Sequence, residues 1–321
     1  MTRITFRLAI VLACFTFGSL FAQAQNSLRS WVSTLGSDNN NPNCSRTAPC
    51  RTLAWAILQT KPNGEIDILD PGGYGPVTID RSITIDGTGT LASILAGNGQ
   101  NGITINLNPA DALKTVRLRG LAITGMGDGA KTGLKGIQIT NTNFAVLKVF
   151  LEDIVIDGFS QEGIRYDLNG GELVVKNSTI RNNDGAGIRV DSPSGLLVHV
   201  TVEKSSLVYN GEGIHFEDNV RGGVIESVIS HNTTNGVAVI NSTAASEVQL
   251  EHTLISENKQ AGVLTGGGVT YGSAHLSDCT IIHNNVGLQM NANGLIKSWG
   301  NNRLALNNTN GAFSPPVVPQ Q

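Results

Sequence analysis

The sequence predicts an all-β protein, folded as a single right-handed parallel β-helix of about ten coils with a short N-terminal capping helix. Three observations predict it. A glycine–aliphatic pair recurs every 23 to 27 residues, an asparagine stands shortly before most of these pairs, and short alternating runs of β-branched residues fill the intervals. A repeat of this length indicates a solenoid, in which each unit buries its apolar face only against its neighbours. No unit has a helix-length window of 3.6-residue periodicity, which disfavours helical repeats.

The repeated glycines and asparagines define two columns. The glycines are Gly136, Gly163, Gly187, Gly213, Gly236, Gly262 and Gly287. The asparagines are Asn183, Asn210, Asn232, Asn258 and Asn284. Asparagine tolerates the left-handed conformation that a sharp corner needs, and stacked asparagine amides can hydrogen-bond to one another. The asparagine column therefore predicts one corner of every coil.

Residues 1–24 have the pattern of a secretory signal peptide. Two arginines, Arg3 and Arg7, precede an apolar run over residues 8–21, and residues 22–24 supply the small-residue cleavage pattern near Ala24. The run is too short to span a membrane. The mature chain is therefore expected to be secreted, periplasmic or at the cell surface, and not embedded in a membrane.

Residues 25–65 are predicted to form an N-terminal strand, a disulfide loop and the capping helix. Cys44 and Cys50 stand six residues apart in a polar loop, and a bridge between them is expected in an oxidising compartment. A metal pair is the alternative, although no histidine or further cysteine lies nearby to complete four ligands. The helix is expected to begin after Thr52 and to cover the open end of the apolar bore. Its apolar face is predicted to consist of Leu53, Ala54, Ile57 and Leu58.

An ordered series of short motifs runs through the same segment. The motifs are WVS at 31–33, GSD at 36–38, PCRTLAWAI at 49–57, GEIDI at 64–68 and DPGGY at 70–74. The series resembles the N-terminal segment of secreted right-handed β-helix proteins of the pectate-lyase-like superfamily. The resemblance implies this fold but no single function, because that superfamily holds lyases, hydrolases, epimerases and adhesion proteins.

Residues 66–311 are predicted to form the β-helix, and the proline-rich tail 312–321 is predicted to be extended and mobile. Charged residues make up only 15% of the chain and glycines number 38, a mixture typical of a tightly wound solenoid. The net charge of −3 without any basic run makes a nucleic-acid partner unexpected. A monomer is expected.

Two outward columns carry the residues with chemistry. Side chains alternate between bore and solvent, so positions two and four beyond each repeated glycine face outwards. Three consecutive coils place charged or ionisable residues there, and these are Arg165 with Asp167, Arg189 with Asp191, and His215 with Glu217. With coils about 4.8 Å apart, the strip would extend over about 10 Å, or two sugar rings.

These six residues are the candidates for substrate binding, and the catalytic candidates among them are Arg189, Asp191, His215 and Glu217. The arginines could bind uronate carboxylates, and the carboxylates could act as a base or ligate calcium. The alternative is a solvated face of ion pairs worth about 0–1 kcal/mol each. The resemblance also implies that hydrolases of this fold use an aspartate cluster with a Gly-His-Gly context, and the sequence has neither an Asp-Asp pair nor that context.

A further outward column contains a weak candidate for a metal site. His231, Glu257 and His283 lie on three successive coils, but outward turn positions tolerate polar residues generally. The other histidines, His199, His252 and His275, share no column with them and are interpreted as surface residues. Cys279 occupies a column of small residues, which indicates packing and not a nucleophile.

The leading functional hypothesis is an exported protein that binds extended polysaccharide along its outer face without catalysis. Two alternatives remain open. One is a polysaccharide lyase, epimerase or hydrolase that uses the six strip residues, and the other is a structural or adhesive solenoid with protein partners.

Overall fold

The computed structural model describes residues 27–127, 130–140, 147–193 and 195–317. In these residues the chain winds into a parallel β-helix whose walls are three sheets: sheet 1 with 11 strands, sheet 2 with nine and sheet 3 with ten. Each coil passes through sheet 1, then sheet 3, then sheet 2. The predicted fold class is confirmed. Sheet 2 has nine stacked strands, which are eight coil-to-coil steps, so the predicted number of ten coils is approximate. The predicted signal peptide lies outside the described residues.

The strands of the three sheets repeat in this order along the chain. Sheet 1 consists of Ser27–Val32, Thr60–Ile68, Ile83–Asp86, Thr115–Arg119, Leu147–Glu152, Gly171–Lys176, Val198–Glu203, Val220–Ile225, Ser246–Glu251, Gly272–Ser277 and Gly294–Ser298. Sheet 2 consists of Val77–Ile79, Ile103–Ile105, Ile137–Thr140, Ile164–Asp167, Ala186–Asp191, Glu212–Phe216, Val237–Asn241, Ala261–Gly267 and Val286–Met290. Sheet 3 consists of Gly72–Gly73, Ala92–Leu95, Leu121–Thr124, Val155–Asp157, Thr179–Arg181, Ser206–Val208, Val228–Ser230, Leu254–Ser256, Thr280–Ile282 and Arg303–Ala305. A small hairpin, Met126–Gly127 with Ala130–Lys131, leaves the wall between two coils.

The bore is a continuous apolar core of stacked aliphatic side chains. In sheet 2, for example, Ile164, Ile188 and Ile214 stand in register on successive coils, and all three are fully buried. Burying each such side chain stabilises the fold by about 1.5–3 kcal/mol. Alternate residues of the same strands face outwards. The same two-residue alternation therefore places one set of side chains in the core and the other set in the outer columns.

The glycine column has a steric cause. A Cβ atom at Gly213 would lie 2.3 Å from the carbonyl oxygen of Gly236 and 2.4 Å from Ile229 of the next coil. At Gly187 the corresponding distance to the Gly213 oxygen is 2.8 Å. Successive coils therefore approach so closely at this position that any side chain would push the backbones apart.

The asparagine column forms a buried hydrogen-bonded ladder, as predicted. The side-chain nitrogen of Asn232 donates to the Asn258 Oδ1 at 2.9 Å, and Asn258 donates to Asn284 at 2.8 Å. The left-handed conformation belongs to a different residue from the one expected. It is adopted by the exposed or half-buried residue just before each asparagine, such as Tyr209 (φ 58°) or His231 (φ 57°), because the ladder asparagine itself must turn inwards.

A seven-residue helix, Leu53–Gln59, lies at the N-terminal end of the bore. Thr52 caps it by accepting a hydrogen bond from the Trp55 backbone N–H at 3.1 Å. Its buried apolar residues are Leu53, Ala56 and Ile57. The predicted face was therefore wrong at Ala54 and Leu58, which are exposed, because positions i, i+3 and i+4 share a helix face whereas i+1 and i+5 do not.

The loop before this helix is closed by the predicted disulfide between Cys44 and Cys50. Both cysteines are fully buried, and they belong to the same core cluster as Leu53 of the capping helix. No helix in the part of the chain that the structure describes is long and apolar enough to cross a membrane.

The C-terminal end of the bore is covered by the residues that follow the last coil. Phe313 packs against the core, and Ser314 bonds twice to Ile296 of the last strand of sheet 1. Its backbone N–H donates to the Ile296 carbonyl at 2.6 Å, and its hydroxyl accepts from the Ile296 N–H at 3.0 Å. Both residues fall within the predicted mobile tail 312–321, but the structure places them against the last coil. Residues 318–321 of that tail lie outside the described part.

Candidate ligand-binding site

The six candidate residues lie together on the outer face of sheet 2. Strand register places Arg165 beside Arg189 and Asp167 beside Asp191, and it places Arg189 beside His215. Glu217 follows Phe216, the last residue of its strand, and continues the row. We call these six residues the polar strip: Arg165, Asp167, Arg189, Asp191, His215 and Glu217. All six are half-buried.

Both arginines of the polar strip are already paired with carboxylates. The Arg165 Nε donates to the Asp167 Oδ1 at 2.6 Å, and the other carboxylate oxygen of Asp167 accepts from Gln138 at 3.1 Å. One Arg189 Nη donates to Glu217. Both guanidinium groups therefore form ion pairs, as in the alternative interpretation of this face. A uronate would have to compete with these carboxylates for the arginines.

Asp191 is the group in the polar strip with a strongly perturbed proton affinity. Its partial burial, and then the hydrogen bond and the negative charge of neighbouring Glu217, raise its pKa to about 6 from an ordinary 3.8, against an opposing effect of Arg165. The contact with Glu217 favours the protonated form of Asp191. Asp191 can therefore take up or release a proton near neutral pH.

His215 is held between two glutamates. Its Nδ1 lies 2.5 Å from the Glu212 Oε2, and its Nε2 lies 3.5 Å from the Glu217 Oε1. Glu212 is fixed in turn by Asn235, whose amide donates to it at 2.8 Å. The imidazole thus links the strip to a second row of side chains, and its ring orientation is set by Glu212.

That second row was missed by the sequence interpretation. Glu212 contacts His215, and Glu162 lies 3.8 Å from an Arg165 Nη. Each glutamate stands directly before a repeated glycine, at Glu162-Gly163 and Glu212-Gly213. In other coils this position holds Ala186, Asn235 and Ala261, which are buried, so no repeated charge marks it in the sequence.

The donor set does not fit a calcium ion. Asp167 is turned away to Arg165 and Gln138, so the three carboxylates of the strip do not converge. Across the described ranges, no group of three or more His, Cys, Asp or Glu side chains is arranged to hold a metal ion. A cation-dependent step therefore has no support from these side chains.

The metal candidates of the turn column are also not assembled. His283 lies 3.4 Å from Glu257, but His231 instead stacks on Tyr209 with ring centroids 4.8 Å apart and bonds to Ser230 at 3.1 Å. The three candidate side chains therefore do not form one ligand set, because the residue at each corner turns towards its own nearest neighbour.

A family model described as the right-handed β-helix region matches residues 67–245 and 135–310. The chain belongs to the right-handed β-helix family. Among solved structures, this β-helix protein is similar to pectate lyase Pel9A, with 15% identity, a TM-score of 0.58, and coverage of 85% of this chain and 78% of the lyase chain. This likeness supports the pectate-lyase-like fold and, at such low identity, the fold alone.

A second similar structure is the A-module of the mannuronan C-5 epimerase AlgE6 from Azotobacter vinelandii. Its identity to this β-helix protein is 16%, its TM-score is 0.45, and the match covers 76% of this chain and 86% of the module. No curated protein matches the sequence. The function must therefore be argued from the side chains.

Proposed function

We propose that this β-helix protein is exported and binds an extended polysaccharide along the polar strip, without turning it over. The observation that carries the proposal is the register of Arg165, Arg189 and His215, which aligns three coils in one straight row. Coils about 4.8 Å apart offer a repeated set of hydrogen-bonding groups to a repeated ligand. The buried disulfide supports export, since such bridges persist in oxidising compartments.

The charge of the site favours a neutral polysaccharide over a uronate. Together with the second row, the site has five carboxyl groups and two guanidinium groups, and the guanidinium groups are Arg165 and Arg189. The carboxyl groups belong to Glu162, Asp167, Asp191, Glu212 and Glu217. Carboxylates accept hydrogen bonds from sugar hydroxyls, whereas a row of uronates would be repelled.

The test is calorimetric titration of the mature protein with cellohexaose, xylohexaose, mannohexaose and hexagalacturonate, each with and without calcium. We expect a neutral hexaose to bind, and Asp167→Asn and Glu217→Gln each to weaken it about tenfold, or 1.4 kcal/mol. Ser206→Ala on the outer face of sheet 3 is the matched control and should leave affinity unchanged. Absence of heat across the panel, or unchanged affinity in both strip variants, would contradict the proposal and favour a solenoid that contacts protein partners.

A second candidate function is an acid–base reaction on the bound polysaccharide, such as a lyase, epimerase or hydrolase activity. It is favoured by one observation, the pKa of Asp191 raised to about 6 by burial and by Glu217, against the opposing charge of Arg165. Proton NMR of each mixture over a day would show new alkene or anomeric signals if turnover occurs. Asp191→Asn should then abolish those signals while keeping affinity, and absence of new signals in the wild type would remove this candidate.

A further inference from the structure

Two neighbouring coils of the polar strip carry the same pair of residues in different arrangements. Arg165 and Asp167 on one coil stand in register with Arg189 and Asp191 on the next. In the first coil the Arg165 Nε donates to the Asp167 Oδ1 at 2.6 Å. In the second coil Asp191 is hydrogen-bonded to Glu217 of the following coil instead. One sequence pattern therefore has two side-chain arrangements on the same face.

Arg189 shows which bond the second arrangement lacks. One of its Nη atoms donates to Glu217, but its Nε is buried and has no hydrogen-bond acceptor among the described residues. A buried N–H without an acceptor is unfavourable. The Nε of Arg165 is satisfied by the aspartate two residues later, and the aspartate two residues after Arg189 is Asp191. The missing bond is therefore one that the strip already makes in the preceding coil.

Glu217 is the common partner of three side chains. Its Oε1 accepts from Arg189 and lies 3.5 Å from the His215 Nε2, and its carboxylate is hydrogen-bonded to Asp191. A hydrogen bond between two carboxyl groups requires a proton on one of them. Partial burial, and then the bond and the charge of Glu217, raise the pKa of Asp191 to about 6, so Asp191 carries this proton at lower pH.

The charged groups around Asp191 act in both directions. Glu217 and Asp218 disfavour its ionisation, and Arg165 of the preceding coil favours it. Asp167 stands beside Asp191 in register, and its carboxylate is already paired with Arg165. An ionised Asp191 therefore has a carboxyl residue in register on the preceding coil and Glu217 on the following one.

Loss of the proton removes the donor of the bond between Asp191 and Glu217 and leaves two carboxylates in contact. Rotation of the Asp191 side chain towards Arg189 would separate these charges and supply the acceptor that the Nε lacks. The pair of Arg165 with Asp167 shows that the outer face of sheet 2 accommodates this geometry. The backbone need not move, because both aspartates occupy the same position of their strands.

We propose that Asp191 is a proton-dependent switch, which donates to Glu217 when protonated and turns to accept from the Nε of Arg189 when ionised. The turn frees an acceptor position on Glu217 for a ligand hydroxyl. Binding of a neutral polysaccharide is then coupled to release of a proton, and its affinity rises with pH. The coupling rests on the function proposed for the strip, whereas the switch itself is measurable without a ligand.

The first test is an NMR titration of the ligand-free protein from about pH 4 to pH 8. It follows the ¹³Cγ signals of aspartates and the ¹⁵Nε–Hε signals of arginines, and Asp191→Asn and Arg189→Lys assign the two signals of interest. We expect both to change together, with a midpoint of about pH 6. The Nε signal of Arg165, which already has Asp167 as its acceptor, is the internal control and should not follow this midpoint.

Two variants test the geometry of the switch. Asp191→Asn keeps a donor for Glu217 but cannot ionise, so the Arg189 Nε signal should stay at its low-pH position throughout. Glu217→Gln removes the neighbouring carboxylate, so the midpoint of Asp191 should move to lower pH. Asp153→Asn, at an exposed turn, is the matched control and should leave the midpoint at about 6.

The second test is calorimetric titration with cellohexaose, xylohexaose and mannohexaose, in two buffers of different ionisation enthalpy. If the ionised form alone binds, affinity should rise about tenfold between pH 5 and pH 7, because the competent fraction of the protein rises by that factor. At pH 6 the difference in heat between the buffers should correspond to release of about half a proton. Asp191→Asn should bind without either effect.

The outcomes separate the switch from the function of the strip. An Arg189 Nε signal that does not change, or that has a different midpoint from Asp191, would overturn the switch. A hexaose that binds with constant affinity and no proton release would overturn the coupling and leave the proposed function intact. Absence of binding by every hexaose would contradict both the function and the coupling, and the NMR titration would still decide the switch.

Discussion

Asp191 shows how partial burial and a contact with one neighbour, Glu217, together set a proton affinity. Neither residue is unusual in the sequence, and their positions in the outer columns follow from strand alternation alone. The hydrogen bond between them, and the raised pKa of Asp191 that results, depend on a half-buried setting. The column could be predicted from the repeat, but the raised pKa of Asp191 could not, because it depends on side-chain orientation.

The raised pKa of Asp191 makes stability depend on pH. The pKa is near 3.9 in an unfolded chain and about 6 in the folded protein, so the folded state holds the proton more tightly. The resulting stabilisation is complete below about pH 4 and is lost as the pH rises through about 6. We expect Asp191→Asn, which cannot ionise, to be more stable than wild type by about 1 kcal/mol at pH 8, allowing for solvent screening, and equally stable at pH 4.

Urea unfolding at both pH values measures this difference. Asp153→Asn, at an exposed turn between sheets 1 and 3, is the matched control and should show no such pH dependence. An identical stability change at pH 4 and pH 8 for Asp191→Asn would show that the carboxyl does not hold its proton in the folded state.

Cys279 illustrates a second residue whose role is set by its column. The column otherwise contains Ser178, Ser205, Ser227 and Thr253, and the hydroxyl of Ser205 donates to the carbonyl two residues earlier at 2.8 Å. The Cys279 thiol makes the same bond at 3.3 Å, and burial raises its pKa to about 11. The interpretation as a packing residue and not a nucleophile agrees with this environment.

We therefore expect Cys279→Ser to change the free energy of unfolding by less than about 0.5 kcal/mol, because serine makes the bond of the column with a stronger donor. Cys279→Val, which has no donor, should cost about 1 kcal/mol. Thermal unfolding of both variants checks this, and the folded wild type should not react with a thiol reagent. A serine variant less stable than the valine variant would contradict the role of the column.

At the scale of elements, the corner between sheets 3 and 2 is stabilised by the asparagine ladder. Asn232 is fully buried, donates to Asn258 at 2.9 Å and to the Leu207 carbonyl at 3.2 Å, and accepts from the Asn210 backbone N–H at 3.0 Å. Each coil thus satisfies polar groups of its neighbours. The ladder was predictable because its asparagines recur in the sequence with the period of the coils.

Asn232→Ala should destabilise the protein by about 3 kcal/mol, since it leaves several buried polar groups unpaired in neighbouring coils. Thr233→Ala, at the exposed next position, is the matched control and should stay within about 0.5 kcal/mol of wild type. Denaturant unfolding of the two variants measures both values. Equal stability of the two variants would mean that the ladder hydrogen bonds contribute nothing net.

Other element-scale features were not predictable. On sheet 1, Gly223, Gln249 and His275 stand in register across strands whose connecting segments differ in length. His275 was interpreted as a surface residue because the sequence offers no column for sheet 1 comparable to the glycine–aliphatic pairs of sheet 2. The repeat signal is strong only where close backbone approach demands glycine, so sheets without that constraint are harder to align.

For the whole molecule, the two ends of the bore are the places most prone to aggregation, because an open coil exposes apolar side chains and unpaired strand edges. The N-terminal end has the helix Leu53–Gln59, whose sequence signal was clear. The C-terminal end has Phe313 and Ser314, where a proline-rich composition instead suggested a mobile tail. Composition describes the average of a segment, whereas a cap needs only one or two residues.

We expect Phe313→Asp to lower stability by about 2 kcal/mol and to cause concentration-dependent association, because it removes apolar cover from the last coil. Val317→Asp is the control, since Val317 is 52% exposed and should tolerate the change. Light scattering coupled to size-exclusion chromatography, with thermal unfolding, measures both effects. A monomeric, fully stable Phe313→Asp variant would show that the end of the bore needs no cover.

The close glycine contacts between coils also have an evolutionary consequence. Because each interior coil meets its neighbours through the same glycine, asparagine and aliphatic positions, duplication of one 23- to 27-residue segment would insert a coil that fits both neighbours. Each insertion would lengthen the outer face by one step of about 4.8 Å without disturbing either end. In this architecture the length of a binding surface can therefore change by whole units through a single genetic event, while substitutions within a coil adjust its chemistry.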